Sequence, residues 1–422
     1  MRGEEKFQPR EPKWNTGANQ RTITNMEKRA LKHWLLNATA AVEPIDFGPV
    51  DPLSTNIPLD TSAGLPFKLM HMTDKQTVLS QYGMETLIAI GELQLVKDSY
   101  VQYEFLKVEP IKATKDVRTV ITYPAHVHFA LCKWLLGFSA WSKQFKECKI
   151  GWSKFYNGIY SLVSELNIGQ GATYFEADAK RWDSTIPTEL VELVLEVYFS
   201  KFPPGVLDDE LQAAIIRSIT CGWVASSNGE VYYRQNGNSS GNPVTSEINT
   251  LAHLCVWLLA YYRTYHELET FRTSMCVRLY GDDVIGSSLS LSPSQFRESI
   301  RDLKIVYPEE DWKVQNTPIG LTFLGNVITQ INNYYVWTPA KPGKMWASLR
   351  WCEKQSEDTY VKLMERLVSL CMEYAWQPDI VAKLGIMLES TRLRIDEKHP
   401  YKTWVWNYLE RDHISFGIQR PF

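Results

Sequence analysis

The sequence predicts an α+β fold with a strand-poor start, a central core containing β-strands and a helical C-terminal part. Three observations carry this. The segment Ala172-Thr-Tyr-Phe-Glu-Ala-Asp178 reads as a strand that stops at a carboxylate. Residues 275–287 read as strand, tight turn, strand around Tyr280-Gly281-Asp282-Asp283. After Pro342 the chain reads as mostly helical to about residue 394.

Taken in order, residues 1–60 are rich in Pro, Asn and charge and hold one helical stretch, Met26 to Ala41. The turn cluster Asp60-Thr-Ser62-Ala-Gly64-Leu-Pro66 reads as an ordered loop. Residues 73–98 read as helix, Arg118 to Thr122 as a strand and 125–147 as a helix. Pro187 opens a helix over 188–201, and 208–223 is expected to form another. The Gly-rich 237–242 loop runs into a helix that continues to about residue 264. A helix near 293–303 and a hairpin near 321–337 follow. No internal repeat or long linker is visible.

The chain has 422 residues, enough for two or three domains or one large multi-lobed one. Hydrophobic residues make up 44% and aromatics 12%, too much bulk for a disordered chain. The formal charge of −3 excludes a uniformly basic histone-like protein, but not a nucleic-acid enzyme that confines positive charge to a channel. The seven Cys are scattered and lack a C-x-x-C pair, so reduced thiols are expected rather than a disulfide scaffold or zinc site. The polar opening residues do not resemble a signal peptide. The longest apolar run, around Cys255 to Tyr262, is far short of the roughly 20 residues a membrane span needs, so no intrinsic span is expected.

The sharpest chemical signal is Tyr280-Gly281-Asp282-Asp283, flanked by Val277, Leu279, Val284 and Ile285. Glycine permits the turn, and a hairpin then carries two carboxylates at its tip. Adjacent carboxylates repel and are stable together mainly beside a divalent cation. A plain hairpin with solvated aspartates is the bland alternative. About 100 residues earlier, Asp178 ends a hydrophobic strand and Asp183 follows five residues on. A strand-end carboxylate beside a hairpin-tip carboxylate suits two-metal phosphoryl transfer, although Asp183 also reads as a simple helix cap. A third segment, Gly237-Asn-Ser-Ser240-Gly241-Asn-Pro-Val-Thr245-Ser-Glu-Ile-Asn249, is a small flexible loop entering a helix. Ser240, Thr245 and Asn249 offer neutral hydrogen-bonding groups of the kind that recognise ribose hydroxyls. Thr245 and Asn249 are four apart and share a helix face. An ordinary capped helix is the alternative here.

In order and spacing, these segments resemble motifs A, B and C of viral RNA-dependent RNA polymerases. The combination S-G-x3-T-x3-N followed by Y-G-D-D resembles the positive-strand RNA virus enzymes of the picornavirus-like supergroup. Trp182-Asp-Ser-Thr-Ile-Pro187 is similar to the astrovirus-like and potyvirus-like branches. Lys107-Val-Glu-Pro-Ile-Lys112-Ala-Thr-Lys115-Asp-Val-Arg118 resembles motif F, and Thr61 to Pro66 resembles motif G. Lys313, in the loop after Pro308, occupies the place of the motif D lysine, and Phe323-Leu324-Gly325 resembles the motif E primer grip. The likeness spans roughly residues 60–330. It departs from many relatives in having Val108-Glu109 after Lys107, and the chain is somewhat short for the family.

This resemblance implies a right-hand polymerase fold with an antiparallel palm sheet flanked by helices. Residues 1–124 would form fingers, 125–187 palm, 188–230 a fingers insertion, 231–335 palm and 336–422 thumb. It implies template-directed nucleotidyl transfer from NTPs to the 3′-hydroxyl of a growing RNA. Asp178 and Asp282 would bind two Mg²⁺ ions, for which Mn²⁺ substitutes, assisted by Asp283 and the Ala179 carbonyl. Asp183 and Asn249 would sense the ribose 2′-hydroxyl, supported by Ser240, Gly241 and Thr245. Lys107, Lys112, Lys115 and Arg118 would hold the triphosphate, and Lys313 would act as general acid. Ser62 and Gly64 would border the template, while Lys341, Lys344 and Arg350 would contact the product backbone.

The implied partners are RNA template and product, NTPs, a protein primer and other viral replication proteins. The implied setting is the host cytoplasm at membrane-associated replication complexes, with the chain processed from a polyprotein. A reverse transcriptase would keep the palm carboxylates, but usually lacks the Gly before the two aspartates and the Ser-Gly…Thr…Asn sugar sensor. A catalytically silent RNA-binding scaffold predicts a missing carboxylate, and none of the three is missing.

Overall fold

The computed structural model describes residues 21–39, 42, 45–107, 117–350 and 359–392, with backbone alone at 344, 345, 350 and 392. Three sheets set the frame, and helices pack between and around them. Helix α1 (Asn25–Ala38) opens the described chain. Its start is fixed by a capping box in which Thr24 and Glu27 bond each other's backbone N–H groups. Helices α2 (Lys75–Tyr82) and α3 (Met84–Lys97) follow. The expected single helix over 73–98 is broken at Gly83, whose φ of 75° is outside the helical range.

The first sheet joins β1 (Gln102–Leu106) and β2 (Thr119–Thr122) to a later hairpin, β4 (Gly222–Ser226) and β5 (Val231–Arg234). Its order is β2-β1-β4-β5, with β1 and β4 parallel. The β4–β5 hairpin corrects the expectation of a helix through residue 223. The helix, α8 (Asp209–Thr220), ends before Gly222, and Arg234 turns into the interior beneath that end. Between β2 and β4 come α4 (Ala125–Ser142), α5 (Gly158–Leu166), β3 (Thr173–Asp178), the single turn α6 (Trp182–Thr185) and α7 (Thr188–Phe199). Helix α5 had no counterpart in the sequence reading; its buried Ile159, Leu162, Val163 and Leu166 recur at helical spacing.

The central sheet is antiparallel throughout. It contains β3, β6 (Met275–Tyr280), β7 (Asp283–Ser288) and β8 (Lys313–Gln315) in the order β6-β7-β3-β8. Across it lies α9 (Thr245–Tyr265), whose residues Ile248 to Tyr261 are all buried. Burial on every side makes this helix a pillar rather than a surface helix. Trp257 stacks on Phe175 of β3 at 5.1 Å and 20°, and on Phe296 at 4.0 Å and 24°. Short α10 (Phe271–Ser274) precedes β6, and α11 (Pro293–Ser299) carries Phe296.

A third sheet follows, of β9 (Thr322–Phe323), β10 (Asn326–Ile331) and β11 (Tyr334–Pro339), near the expected hairpin. The chain ends in α12 (Pro342–Arg350), α13 (Thr359–Glu373) and α14 (Pro378–Arg392). Lys154 ties α13 to β10, donating to Asn326 Oδ1 at 2.7 Å while paired with Glu373.

Helices α3 and α4 approach each other closely at Gly91. A Cβ on Gly91 would lie 2.2 Å from the His126 carbonyl oxygen and 2.9 Å from the Ala130 methyl. Gly385, in α14, has open space where its Cβ would stand. The same substitution therefore has opposite signs at the two sites. Gly385→Ala is expected to stabilise by up to about 1 kcal/mol, and Gly91→Ala to destabilise by about 1–3 kcal/mol through overpacking. Thermal melts of the two variants beside the parent check both signs.

Candidate active site

The strand ending at Asp178 and the hairpin bearing Asp282 and Asp283 are neighbours. Antiparallel pairing of β3 with β7 sets Asp178 opposite Asp283, and pairing of β6 with β7 sets Tyr280 opposite Asp283. Directly opposed residues in such a ladder have Cα atoms about 4.5–5.5 Å apart. The hairpin loop is Gly281-Asp282, with Gly281 at φ 63°, which suits the first central position of a tight two-residue turn.

Charge accumulates at this tip. Withdrawal from bulk water raises the Asp283 pKa to about 6, and the nearby Asp282 and Asp178 carboxylates add to the rise. Asp282 is raised for the same first reason, then by Asp183, while Arg118 opposes the shift. The Leu324 N–H donates to Asp283 Oδ2 at 3.1 Å, tying the hairpin to the loop after β9.

One face of α9 holds the turn. Thr250 Oγ1 accepts from the Gly281 N–H at 2.8 Å, and His253 Nδ1 meets the Gly281 carbonyl at 2.9 Å. His253 Nε2 meets the Tyr307 hydroxyl at 2.7 Å. Burial lowers the His253 pKa to about 4, so the ring is neutral at physiological pH.

One turn earlier, the same helix engages the segment after β3. Asn249 Nδ2 donates to Asp183 Oδ1 at 2.8 Å, joining the two residues expected to sense the sugar. Asn238 Nδ2 donates to Asn249 Oδ1 at 2.9 Å, and the Asn238 N–H donates to the Asp183 carbonyl at 2.9 Å. Thr245 enters through the loop, its hydroxyl donating to the Ser239 carbonyl at 2.9 Å while its own carbonyl accepts from Asn238. Ser240 faces elsewhere: its Oγ accepts from the Ile121 N–H at 3.0 Å, joining the loop to β2. Gly241 lies against the same strand, where a Cβ would come 2.5 Å from the Ile121 carbonyl oxygen.

Sequence reasoning missed four supports of this network: Asn238, Asn242, Arg234 and His253. Asn238 and Asn242 lie inside the Gly-Asn-Ser-Ser-Gly-Asn run, but the polarity of that run reads equally well as plain loop. Asn242 braces the turn, with Oδ1 accepting from the Val244 N–H at 2.7 Å. Arg234 is fully buried, and its guanidinium donates to the carbonyls of Ser218, Ile219, Thr220 and Cys221. It also reaches the Asn236 and Gly237 carbonyls, so a cation at the C-terminal end of α8 anchors the start of the loop. A lone His within an apolar helix carries no spacing signal that would single it out.

The other expected site residues are placed as follows. Lys107 and Arg118 extend the β1–β2 hairpin, the Lys107 N–H donating to the Arg118 carbonyl at 2.8 Å. Lys112 and Lys115 lie outside the described residues. Ser62 Oγ accepts from the Gly64 N–H at 3.3 Å, and Gly64 has φ 69°. Ala179 is buried directly after β3. Lys341 is exposed just before α12, which carries Lys344 and Arg350 on its backbone. Lys313 is not in a loop as expected. It begins β8 opposite Glu176, because the chain re-enters the sheet beside β3, and its ammonium donates to the Gly320 carbonyl.

Among the described residues, no group of three or more His, Cys, Asp or Glu is gathered tightly enough to hold a metal ion by itself. The three aspartates fit a divalent cation in another way. They supply only oxygen donors, and withdrawal from water together with neighbouring carboxylates holds Asp282 and Asp283 above the ordinary carboxylate range, a strain that a bound cation would relieve. Small hard cations are commonly held by one or two carboxylates with substrate phosphate oxygens completing the shell.

The similarity of this chain to known proteins accords with that geometry. It is 28% identical over 273 residues to the non-structural polyprotein 1AB of ovine astrovirus 1, covering 58% of this chain and 20% of the polyprotein. With the same polyprotein of human astrovirus-5 it shares 24% over 377 residues, covering 83% and 24%. The chain thus spans about a fifth of the ovine polyprotein's length. A sicinivirus 3Dpol RNA-dependent RNA polymerase superposes with a TM-score of 0.66 at 18% identity, covering 92% of this chain and 85% of that one, which establishes the right-hand fold. The sequence model of viral RNA-dependent RNA polymerases matches residues 22–387, a stretch that includes the opposed aspartates, the α9 clamp and the Asp183–Asn249 pair, and by that match the chain belongs to the viral RNA-dependent RNA polymerase family.

Proposed function

We propose that this chain is the unit of a longer viral polyprotein that copies the RNA genome, joining NTPs to the 3′-hydroxyl of a growing RNA on an RNA template. The observation that carries this reading is the strand register that sets Asp178 opposite Asp283, next to Asp282 and beside the Asp183–Asn249 pair. The same proposal divides the chain into fingers (1–124 and 188–230), palm (125–187 and 231–335) and thumb (336–422). It places the chain in the host cytoplasm at membrane-associated replication complexes, held there by partner proteins. No helix among the described residues is long and apolar enough to cross a membrane.

Asp178 and Asp282 would hold two Mg²⁺ ions, or Mn²⁺ in their place, with Asp283 and the Ala179 carbonyl assisting. When bound, these ions would activate the 3′-hydroxyl and neutralise charge on the departing pyrophosphate. Lys107 and Arg118, with Lys112 and Lys115, would orient the triphosphate; a guanidinium suits bidentate phosphate contact. Asn249 has a second amide hydrogen and Asp183 a second oxygen, a complementary donor and acceptor for a ribose 2′-hydroxyl. Lys313 would exchange the Gly320 carbonyl for the pyrophosphate oxygen when it delivers its proton. Base choice belongs to template pairing, so protein contacts to RNA would be made to the backbone, at Ser62 and Gly64 for the template and at Lys341, Lys344 and Arg350 for the product.

Asp282→Asn is expected to lower single-nucleotide extension of an RNA primer by at least about 10³-fold while RNA binding persists. Extension unaffected by the substitution would overturn the mechanism, and dNTP use equal to NTP use would point instead to a reverse transcriptase. RNA binding without extension in the unaltered protein would favour a scaffold.

Asn249→Ala is expected to reduce the preference for NTP over dNTP by about 10–100-fold, because a site built to bond a hydroxyl discriminates strongly against its absence. The ratio of kcat/KM for the paired substrates measures it.

The carboxylate cluster also has a pH signature. Asp283 has its pKa raised to about 6 in the fold. Its contribution to stability is therefore full below the unfolded carboxylate value and is lost as pH rises through about 6. In metal-free protein, Asp283→Asn should raise the melting temperature above pH 6, corresponding to about 1–3 kcal/mol, with little effect at pH 4. Mg²⁺ should stabilise the unaltered protein more at pH 8 than at pH 5.5, because protons compete for the same oxygens.

A further inference from the structure

His253 is a single imidazole on which four chain segments converge. It projects from α9. Trp182, from the turn after β3, lies against one side of its ring at a centroid distance of 4.8 Å and 38°. Tyr307, from the segment leading to β8, packs at 6.0 Å and 36°. The Gly281 carbonyl, in the turn that carries Asp282, is 2.9 Å from Nδ1. All three side chains are buried, with His253 at 0% exposure.

The hydrogen-bond directions are determined by chemistry. A carbonyl oxygen can only accept, so Nδ1 carries the proton and donates to Gly281. Nε2 is then bare and accepts from the Tyr307 hydroxyl at 2.7 Å. The chain of donors therefore runs from Tyr307 through His253 to the catalytic turn. Without the Tyr307 hydroxyl, Nε2 is left buried without that partner and the ring loses the bond that fixes its orientation toward the Gly281 carbonyl. Thr250 holds the other side of the same glycine through its N–H. The backbone of the segment is anchored as well, since the Lys180 N–H donates to the Val306 carbonyl at 2.9 Å.

We propose that His253 and Tyr307 form a positioning relay for the catalytic turn. The Gly281 carbonyl fixes the imidazole tautomer, Tyr307 pins the ring through Nε2, and His253 holds the Gly281 carbonyl so that Asp282 presents its carboxylate beside Asp178. Both residues act through the backbone of the turn. The relay's consequence for catalysis rests on the polymerase reading above; its consequence for the shape of the carboxylate site does not.

The test uses the full chain and three variants. His253→Leu removes both bonds. His253→Asn keeps an amide donor near the place of Nδ1. Tyr307→Phe removes one hydroxyl at constant shape. Two readouts are taken: Mn²⁺ binding followed by electron paramagnetic resonance, and primer extension resolved into kcat and NTP KM. His253→Leu should weaken Mn²⁺ binding and lower kcat, each by tenfold or more, with NTP KM within twofold. Tyr307→Phe should lower both by a smaller factor, and His253→Asn should recover most of the loss. A folded His253→Leu or Tyr307→Phe protein with unchanged Mn²⁺ binding and unchanged kcat would overturn the relay. Equal loss in His253→Asn and His253→Leu would also overturn it, because packing rather than donation would then be at work. If His253→Leu does not fold, Tyr307→Phe decides by the same two readouts. If the unaltered protein shows no extension, the polymerase reading fails, and the Mn²⁺ titration still decides the relay.

Discussion

Asp178 stands opposite Asp283 across an antiparallel ladder, with Asp282 adjacent, and the architecture around them has to hold this like-charge pairing in place. Like charges directly opposed in a sheet are destabilising, and here withdrawal from water, with the neighbouring carboxylates, holds Asp282 and Asp283 above the ordinary carboxylate range. The ladder tolerates this because buried apolar residues occupy several of its other rungs. Phe175, Ala177, Val284 and Ile285 are nearly inaccessible, and Trp257 and Phe296 stack behind them. The unfavourable pair thus sits at the end of a well-packed sheet, where incoming ions and phosphates meet it.

Helix α9 converts that sheet into a site. Positions 245, 249, 250 and 253 follow the spacing of one helix face, and each bonds a different piece of irregular backbone or side chain. Through them, the loop before the helix, the turn after β3 and the catalytic hairpin are placed relative to a single rigid body. The contacts are mostly neutral and fully paired, as buried polar groups must be to specify one geometry. Arg234 does comparable work from the other side, where six backbone carbonyls share one guanidinium. Charge is thereby separated by role, with neutral groups setting shape and acidic groups left at the tip for chemistry.

Much of this was legible in the residues. The hairpin at Tyr280 to Asp283, the strand ending at Asp178 and the long helix after Thr245 all emerged from local pattern. Strong alternation and a turn glycine leave a chain little choice there. The pairing of Asp183 with Asn249 followed from the family resemblance, and the 2.8 Å bond agrees with it. Less legible were the segments whose pattern is ambiguous. The β4–β5 hairpin was overrun by the helix reading because α8 ends at a position with no helix-stopping composition before Gly222. Lys313 read as loop, since three-residue β8 exists only by pairing with β3. Ser240 was expected beside the sugar sensor but bonds β2, a contact 119 residues distant in sequence.

The sequence by itself determined the chemistry: one aspartate at a strand end and two at a hairpin tip, a polar loop entering a helix, and basic residues ahead of them. Residue type and local spacing are enough to say which donors and acceptors a chain owns. Tertiary structure alone decided how they meet. The register that opposes Asp178 to Asp283 and the convergence on His253 join residues 28 to 105 positions apart, while the cluster around Arg234 gathers carbonyls 2 to 16 positions away around one buried guanidinium. Such contacts arise from the closing of loops and the burial of a shared core, and neither leaves a periodic mark in the local sequence.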